Sequence, residues 1–139
     1  MDLCERLIRE MASIKNSDYF EVDFDDLVQN YNFSVLVKND FDRLFQFIES
    51  NCDIEFGTPG SLVHFMEYFY NEDYNIALTE SLYRKPTYLT LVMLNRVINE
   101  LDESEKRRYI SIFQDVINMN ISEEVKAEAK HFLDYQMNR

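Results

Sequence analysis

Two glycines and two prolines in 139 residues leave this chain few places to reverse direction sharply. That usage is far below the ordinary level. Tight hairpins rest on residues that accept positive φ, so helices joined by polar linkers are expected rather than a meander of short strands. Where the scarce residues fall matters as much as their number. Gly57, Pro59 and Gly60 crowd into Phe56-Gly57-Thr58-Pro59-Gly60-Ser61, the sharpest turn signal in the chain. Placing both glycines there predicts a backbone conformation that other residues resist, with positive φ at Gly57 or Gly60. The turn is expected to set the angle between the helices on either side. The length suits one domain, residues 1–139, and the apolar fraction of 46%, with eleven Phe and nine Tyr, can fill a core.

Apolar periodicity supports an all-α reading. Leu3, Leu7, Ile8 and Met11 mark an amphipathic helix over Leu3 to Ile14. Phe41, Leu44, Phe45 and Ile48 form a second stripe, widened by Phe47, with Asn39 or Asp40 available as N-cap. After the glycine turn, Leu62, Val63, Phe65, Met66, Phe69 and Tyr70 read as a buried helix, and Tyr74 to Tyr83 as a shorter one. Pro86 should stop that helix at or before Lys85. Thr87 to Leu101 is apolar nearly all round and is expected to be the central helix. Asp102 and Glu105 form a capping box ahead of the stripe Tyr109, Ile112, Phe113, Val116 and Ile117. Ser122 caps a last helix with the stripe Val125, Ala129, Phe132, Leu133 and Gln136. The expected fold is therefore an antiparallel helical array, with HEAT-like helix pairs as one form of it. Residues 18–37 stay open. Phe20, Val22 and Phe24 alternate with Glu21, Asp23 and Asp25 as a strand would, while Leu27, Val28 and Tyr31 suit a short helix equally well.

The net charge of −12 is unevenly spread. Residues 18–55 carry ten acids (Asp18, Glu21, Asp23, Asp25, Asp26, Asp40, Asp42, Glu49, Asp53, Glu55) against Lys38 and Arg43, a net of −8. Such a field repels nucleic acid and anionic membrane surfaces, whose recognition depends on Lys and Arg. It attracts a basic protein and speeds its encounter. The alternative is that the acids only keep a small domain soluble. No apolar run is long enough to span a bilayer. Met1-Asp2-Leu3-Cys4-Glu5-Arg6 shows no basic region leading into an apolar stretch, and Cys4 and Cys52 read as free thiols. A cytoplasmic location is expected.

Candidates for chemistry are thin, and neither catalysis, a metal nor a cofactor is expected. His64 and His131 lie on separate predicted helices, and no flanking pattern joins either to Cys4 or Cys52 as a nucleophile–base pair. His64 reads better as a polar residue packed beside the glycine turn. His64 and Glu67 offer two metal ligands without a third. The Gly57–Gly60 loop opens a helix but lacks the Lys of a phosphate loop. Asp23-Phe24-Asp25-Asp26 lacks the central Gly of a calcium loop, and its twelfth position is Ser34. The clusters Arg84-Lys85 and Lys106-Arg107-Arg108 are expected to pair with nearby acids such as Asp102, Glu103 or Glu128.

Gly57-Thr58-Pro59-Gly60-Ser61-Leu62-Val63-His64-Phe65-Met66-Glu67, with Ser81-Leu82-Tyr83-Arg84-Lys85-Pro86-Thr87-Tyr88-Leu89-Thr90 and Met93-Leu94-Asn95-Arg96, resembles small all-helical immunity proteins. These are encoded beside bacterial polymorphic toxins, including contact-dependent inhibition systems. The resemblance covers roughly residues 56 to 135. It implies an antidote that binds a cognate toxin domain and blocks its active site. Many such toxins are nucleases with basic surfaces, to which the negative charge is independently suited. The expected partner surface comprises Asp18, Glu21, Asp23, Asp25, Asp26, Asp40 and Asp42, with Tyr19, Phe24 and Tyr31 as anchors. Phe20 and Phe33 belong to the same aromatic set, whose alternative place is the core. A helical adaptor or regulatory module for another basic partner is the competing function.

Overall fold

The computed structural model describes residues 1–139 as an all-α array, 71% helical and without strands. The eight helices are α1 (Leu3–Ile14), α2 (Phe20–Val28), α3 (Lys38–Ser50), α4 (Gly60–Tyr68), α5 (Glu72–Arg84), α6 (Tyr88–Glu100), α7 (Glu103–Ile117) and α8 (Glu123–Met137). Side-chain caps explain many of the starts. Asp2, Asn71, Thr87, Asp102 and Ser122 each accept a backbone N–H from the first turn of the helix they precede. Asp102 makes only half of a capping box: it accepts from the Glu105 amide, while Glu105 reaches forward to Arg108. Pro86 acts as expected, with α5 ending at Arg84.

One open segment is decided and two local expectations are corrected. Residues 20–28 are helix, because Phe20 and Phe24, four apart, both reach the core while Val22 between them is exposed; a strand would bury all three together. Neither Asn39 nor Asp40 caps α3. The helix starts at Lys38, and Asp40 sits a turn inside, its carboxylate accepting the Val37 N–H at 3.0 Å. Finally, α4 stops at Tyr68, so Phe69 and Tyr70 lie in the turn to α5 and Tyr70 is half-exposed.

One connected set of buried side chains runs from Cys4 to Ala129. The nearly all-apolar α6 lies among α5, α7 and α8, burying Leu91, Met93, Leu94 and Ile98 completely. Phe113 and Val116 are core as expected, whereas Phe132 is only partly buried, stacked on Phe113 at 5.8 Å. Gln136 is buried on α8, and its amide donates to Asn95 and Asn99 of α6. The main neighbour of α3 is α5, while α4 turns away onto α2, so the middle of the array is not a run of consecutive pairs.

A buried acid joins α3 to α5. Glu49 accepts from Ser81 Oγ at 2.7 Å and from Arg84 Nε and Nη2 at 2.9 and 2.5 Å. Arg84 is thus paired, as are Lys106 with Glu103 and Arg108 with Glu105; Asp102 and Glu128 take no part.

Candidate partner-binding surface

The acidic segment divides into carboxylates that serve the fold and carboxylates that face solvent. Glu21 belongs to the first group. Its Oε1 accepts the Ser61 N–H at 3.0 Å, forty residues along the chain. The first amides of a helix attract an anion, and at α4 the protein supplies its own. This contact is made just past the glycine turn, where Gly57 and Gly60 have φ of 112° and 87° and the Thr58–Pro59 peptide is cis. The positive φ expected at one glycine is present at both, and the loop joins the end of α3 to the start of α4.

Asp23 accepts from Ser17 Oγ at 2.5 Å, Asp40 holds the start of α3, and Asp42 pairs with Lys38, which also reaches Glu80. Those four of the seven expected surface acids are thus engaged within the chain. Asp18, Asp25 and Asp26 are exposed and form no ion pair. The expected anchors divide likewise. Phe24 is core, 1% exposed, stacked with Phe20 and edge-on to Phe65. Tyr31 is half-buried, its hydroxyl donating to Glu10 at 2.6 Å beneath the Arg6 guanidinium. Burial, then that hydrogen bond, push its pKa up to about 12. Neither Phe24 nor Tyr31 is a free anchor, because each is committed to packing within the chain. Only Tyr19, 73% exposed, stands out from the surface, with Val22 beside it at 59%.

The outer face of α2 and its approach therefore present Asp18, Tyr19, Val22, Asp25 and Asp26 together. No Lys or Arg occurs between residues 16 and 37 to neutralise it. The full acidic count was visible in the sequence. Which acids are free depends on groups brought in from distant segments, such as the Ser61 amide.

Sequence reasoning missed a second exposed cluster. Val35, Val37, Tyr68 and Tyr70 are among the exposed large apolar residues, above half-buried Phe33 and Phe69. Phe69 lies 6.1 Å from Phe33 and 5.0 Å from Tyr68, ring centre to ring centre. Asn71 donates to Leu36 O at 3.1 Å, tying residues 35–37 to the α4–α5 turn. The available signal was the run Tyr68-Phe69-Tyr70, whose six aromatic faces exceed what one side of a helix can bury.

The residues considered for chemistry are dispersed. His64 on α4 and His131 on α8 are both exposed, Cys52 is exposed, and Cys4 is buried against α3. No three His, Cys, Asp or Glu side chains converge as a metal-ligand set, and no helix is long and apolar enough to cross a membrane. No protein-family model matches the chain, nor does any curated protein or solved structure.

Proposed function

We propose that this chain is an immunity-type binding protein that captures a basic protein partner, a nuclease toxin domain, and covers the surface on which that partner would hold phosphate. The observation that carries the reading is the α2 face. Asp18, Asp25 and Asp26 are exposed without ion pairs, in a stretch without a cation, beside the protruding Tyr19 and Val22. Carboxylates held at a surface with no compensating charge raise the local concentration of a basic protein and steer its approach. The resemblance of residues 56–135 to toxin-neutralising proteins supplies the identity of that partner.

The test is co-expression with the protein encoded immediately upstream of this chain's gene. A complex should copurify, the nuclease activity of the upstream protein should be lost in it, and association should slow as salt rises, since the Debye length falls from about 10 Å at 0.1 M to about 3 Å at 1 M. Changing Asp18, Asp25 and Asp26 together to Asn should lower the on-rate several-fold with little change in off-rate, because exposed rim charges act mainly on encounter. Absence of a complex, or salt-independent association unchanged in the triple variant, overturns the proposal.

A further inference from the structure

The exposed apolar cluster around the α4–α5 turn adjoins a cleft of about 410 Å³, and Tyr70 belongs to both. The cleft is lined by Glu67, Tyr70, Tyr74, Arg96, Val97 and Glu100, among others. Tyr74 is wholly buried, its ring edge-on to Phe41 and Phe45 at 5.4 and 5.9 Å, yet its hydroxyl has no hydrogen-bond partner within the protein. A buried hydroxyl without a partner is costly, because it has given up its hydrogen bonds to water. The Tyr70 ring stands 5.1 Å from that of Tyr74. Arg96 is satisfied by Glu67, through Nε at 2.7 Å and Nη2 at 2.9 Å, so it brings little free positive charge to the cleft. Glu100 forms no ion pair and is exposed. The cleft thus offers one unpaired carboxylate, an unpartnered hydroxyl in its wall and the half-exposed Tyr70 ring. That set suits a guanidinium or ammonium group, through charge and cation–π attraction.

The apolar cluster beside it, with Tyr68 84% exposed and exposed Val35 and Val37 tied to the same turn through the Asn71–Leu36 hydrogen bond, suits an apolar side chain. Its two building stretches, residues 16–37 and 44–83, contain no Lys or Arg at all. The nearest cations, Arg96 and Lys38, are paired with Glu67 and with Asp42 and Glu80, so a basic partner segment docking here meets little like-charge repulsion, whereas an acidic segment would be repelled by Glu67, Glu72, Asp73 and Glu100. From these two features we infer that the α4–α5 turn is the anchoring site for a basic protein partner, seating an apolar side chain against Tyr68 and Val35 and a neighbouring Arg or Lys in the Tyr70–Tyr74 cleft. The inference rests on the proposed binding function and names where its affinity, as opposed to its encounter rate, resides. Buried aromatic anchors dominate affinity at interfaces, and surrounding charge dominates association.

The experiment is an NMR titration of the full chain with acetyl-Leu-Ala-Arg-amide, and with the same peptide carrying Glu or norleucine in place of Arg. The Arg peptide should shift amides of residues 35–37, 67–74 and 96–101, and should bind at least threefold more weakly to Tyr70→Ser and Tyr74→Phe. Tyr74→Phe keeps the core ring, and Tyr70 is half-exposed, so both variants should fold with an unchanged spectrum elsewhere. The Glu peptide should leave these amides unshifted, and the norleucine peptide should shift only residues 35–37 and 67–70. Equal shifts with all three peptides, shifts confined to α2, no shifts, or a concentration-dependent dimer formed through this cluster would each overturn the inference. The same variants are then tested against the upstream-encoded protein. Unchanged off-rates in a complex that still forms would refute this site and leave the proposed function standing. Peptide binding here without any complex would refute that function and leave the site.

Discussion

Gly57 and Gly60 both have left-handed φ, but a side chain at each meets different surroundings, and the difference makes a quantitative prediction. At Gly57, with φ 112°, a Cβ would lie 2.5 Å from the Gly60 Cα and 3.2 Å from the Gly60 nitrogen. Both are backbone atoms, so the turn itself must open. The φ penalty of about 1–3 kcal/mol and an overpacking cost of about 1–3 kcal/mol together give about 2–6 kcal/mol for Gly57→Ala. At Gly60, with φ 87°, the nearest atom is Glu21 Oε1 at 3.3 Å, the end of a flexible side chain. Gly60→Ala should therefore cost mainly the dihedral strain, about 1–2 kcal/mol. Urea unfolding of both variants beside the parent chain measures the two losses, as a fall in midpoint at constant slope. For a domain with about 5–15 kcal/mol of stability in all, Gly57→Ala should be visibly crippled and Gly60→Ala merely weakened. Equal losses, or a loss under about 1 kcal/mol at Gly57, would refute the reasoning.

Arg84→Met leaves the buried Glu49 carboxylate with Ser81 alone. Breaking a buried pair costs about 3–5 kcal/mol, but Arg84 is 40% exposed and the pair is partly screened, so a loss of about 1–3 kcal/mol in urea unfolding is expected; an unchanged midpoint would refute it. Burial, above all, pushes the Cys4 thiol up to about 12, while Cys52 is exposed, so a thiol reagent at pH 8 should label Cys52 alone in the native protein and both thiols in denaturant. The Glu5 backbone N–H, then Arg43, hold the Asp2 carboxyl below its ordinary 3.8, and the Ser104 hydroxyl, ahead of the Glu105 amide, does the same for Asp102. Since both folded-state values lie below the unfolded ones, their stabilisation is present above the ordinary carboxylate pKa and lost as pH falls through the depressed one. Asp2→Asn and Asp102→Asn should each flatten the fall in melting temperature between pH 5 and pH 2, and an unaltered acid profile would contradict the assignment.

Helix positions were legible because helix formation is read locally. The stripe from Leu3 to Met11 closely marks α1, Pro86 stops α5, and Ser122 caps α8, each through neighbours within four residues. The unusual backbone at Gly57 and Gly60 was legible for the same reason, since two scarce glycines in one loop point to φ that other residues avoid. Residues 20–28 were not legible, because Phe20, Val22 and Phe24 alternate as well for a strand as for a helix. Only packing against Phe56 and Phe65 separates the two: it buries Phe20 and Phe24 and leaves Val22 in solvent. The acids show the limit most clearly. Composition alone reveals that residues 18–55 are strongly negative, but Glu21 is spent on the Ser61 amide, Asp42 on Lys38 and Glu49 on Arg84. The unpartnered Tyr74 hydroxyl and the cleft behind Tyr70 likewise exist only where α4, α5 and α6 meet. Periodicity and caps act over a single turn of chain, whereas whether a charge or hydroxyl is free depends on what the fold places across space from it.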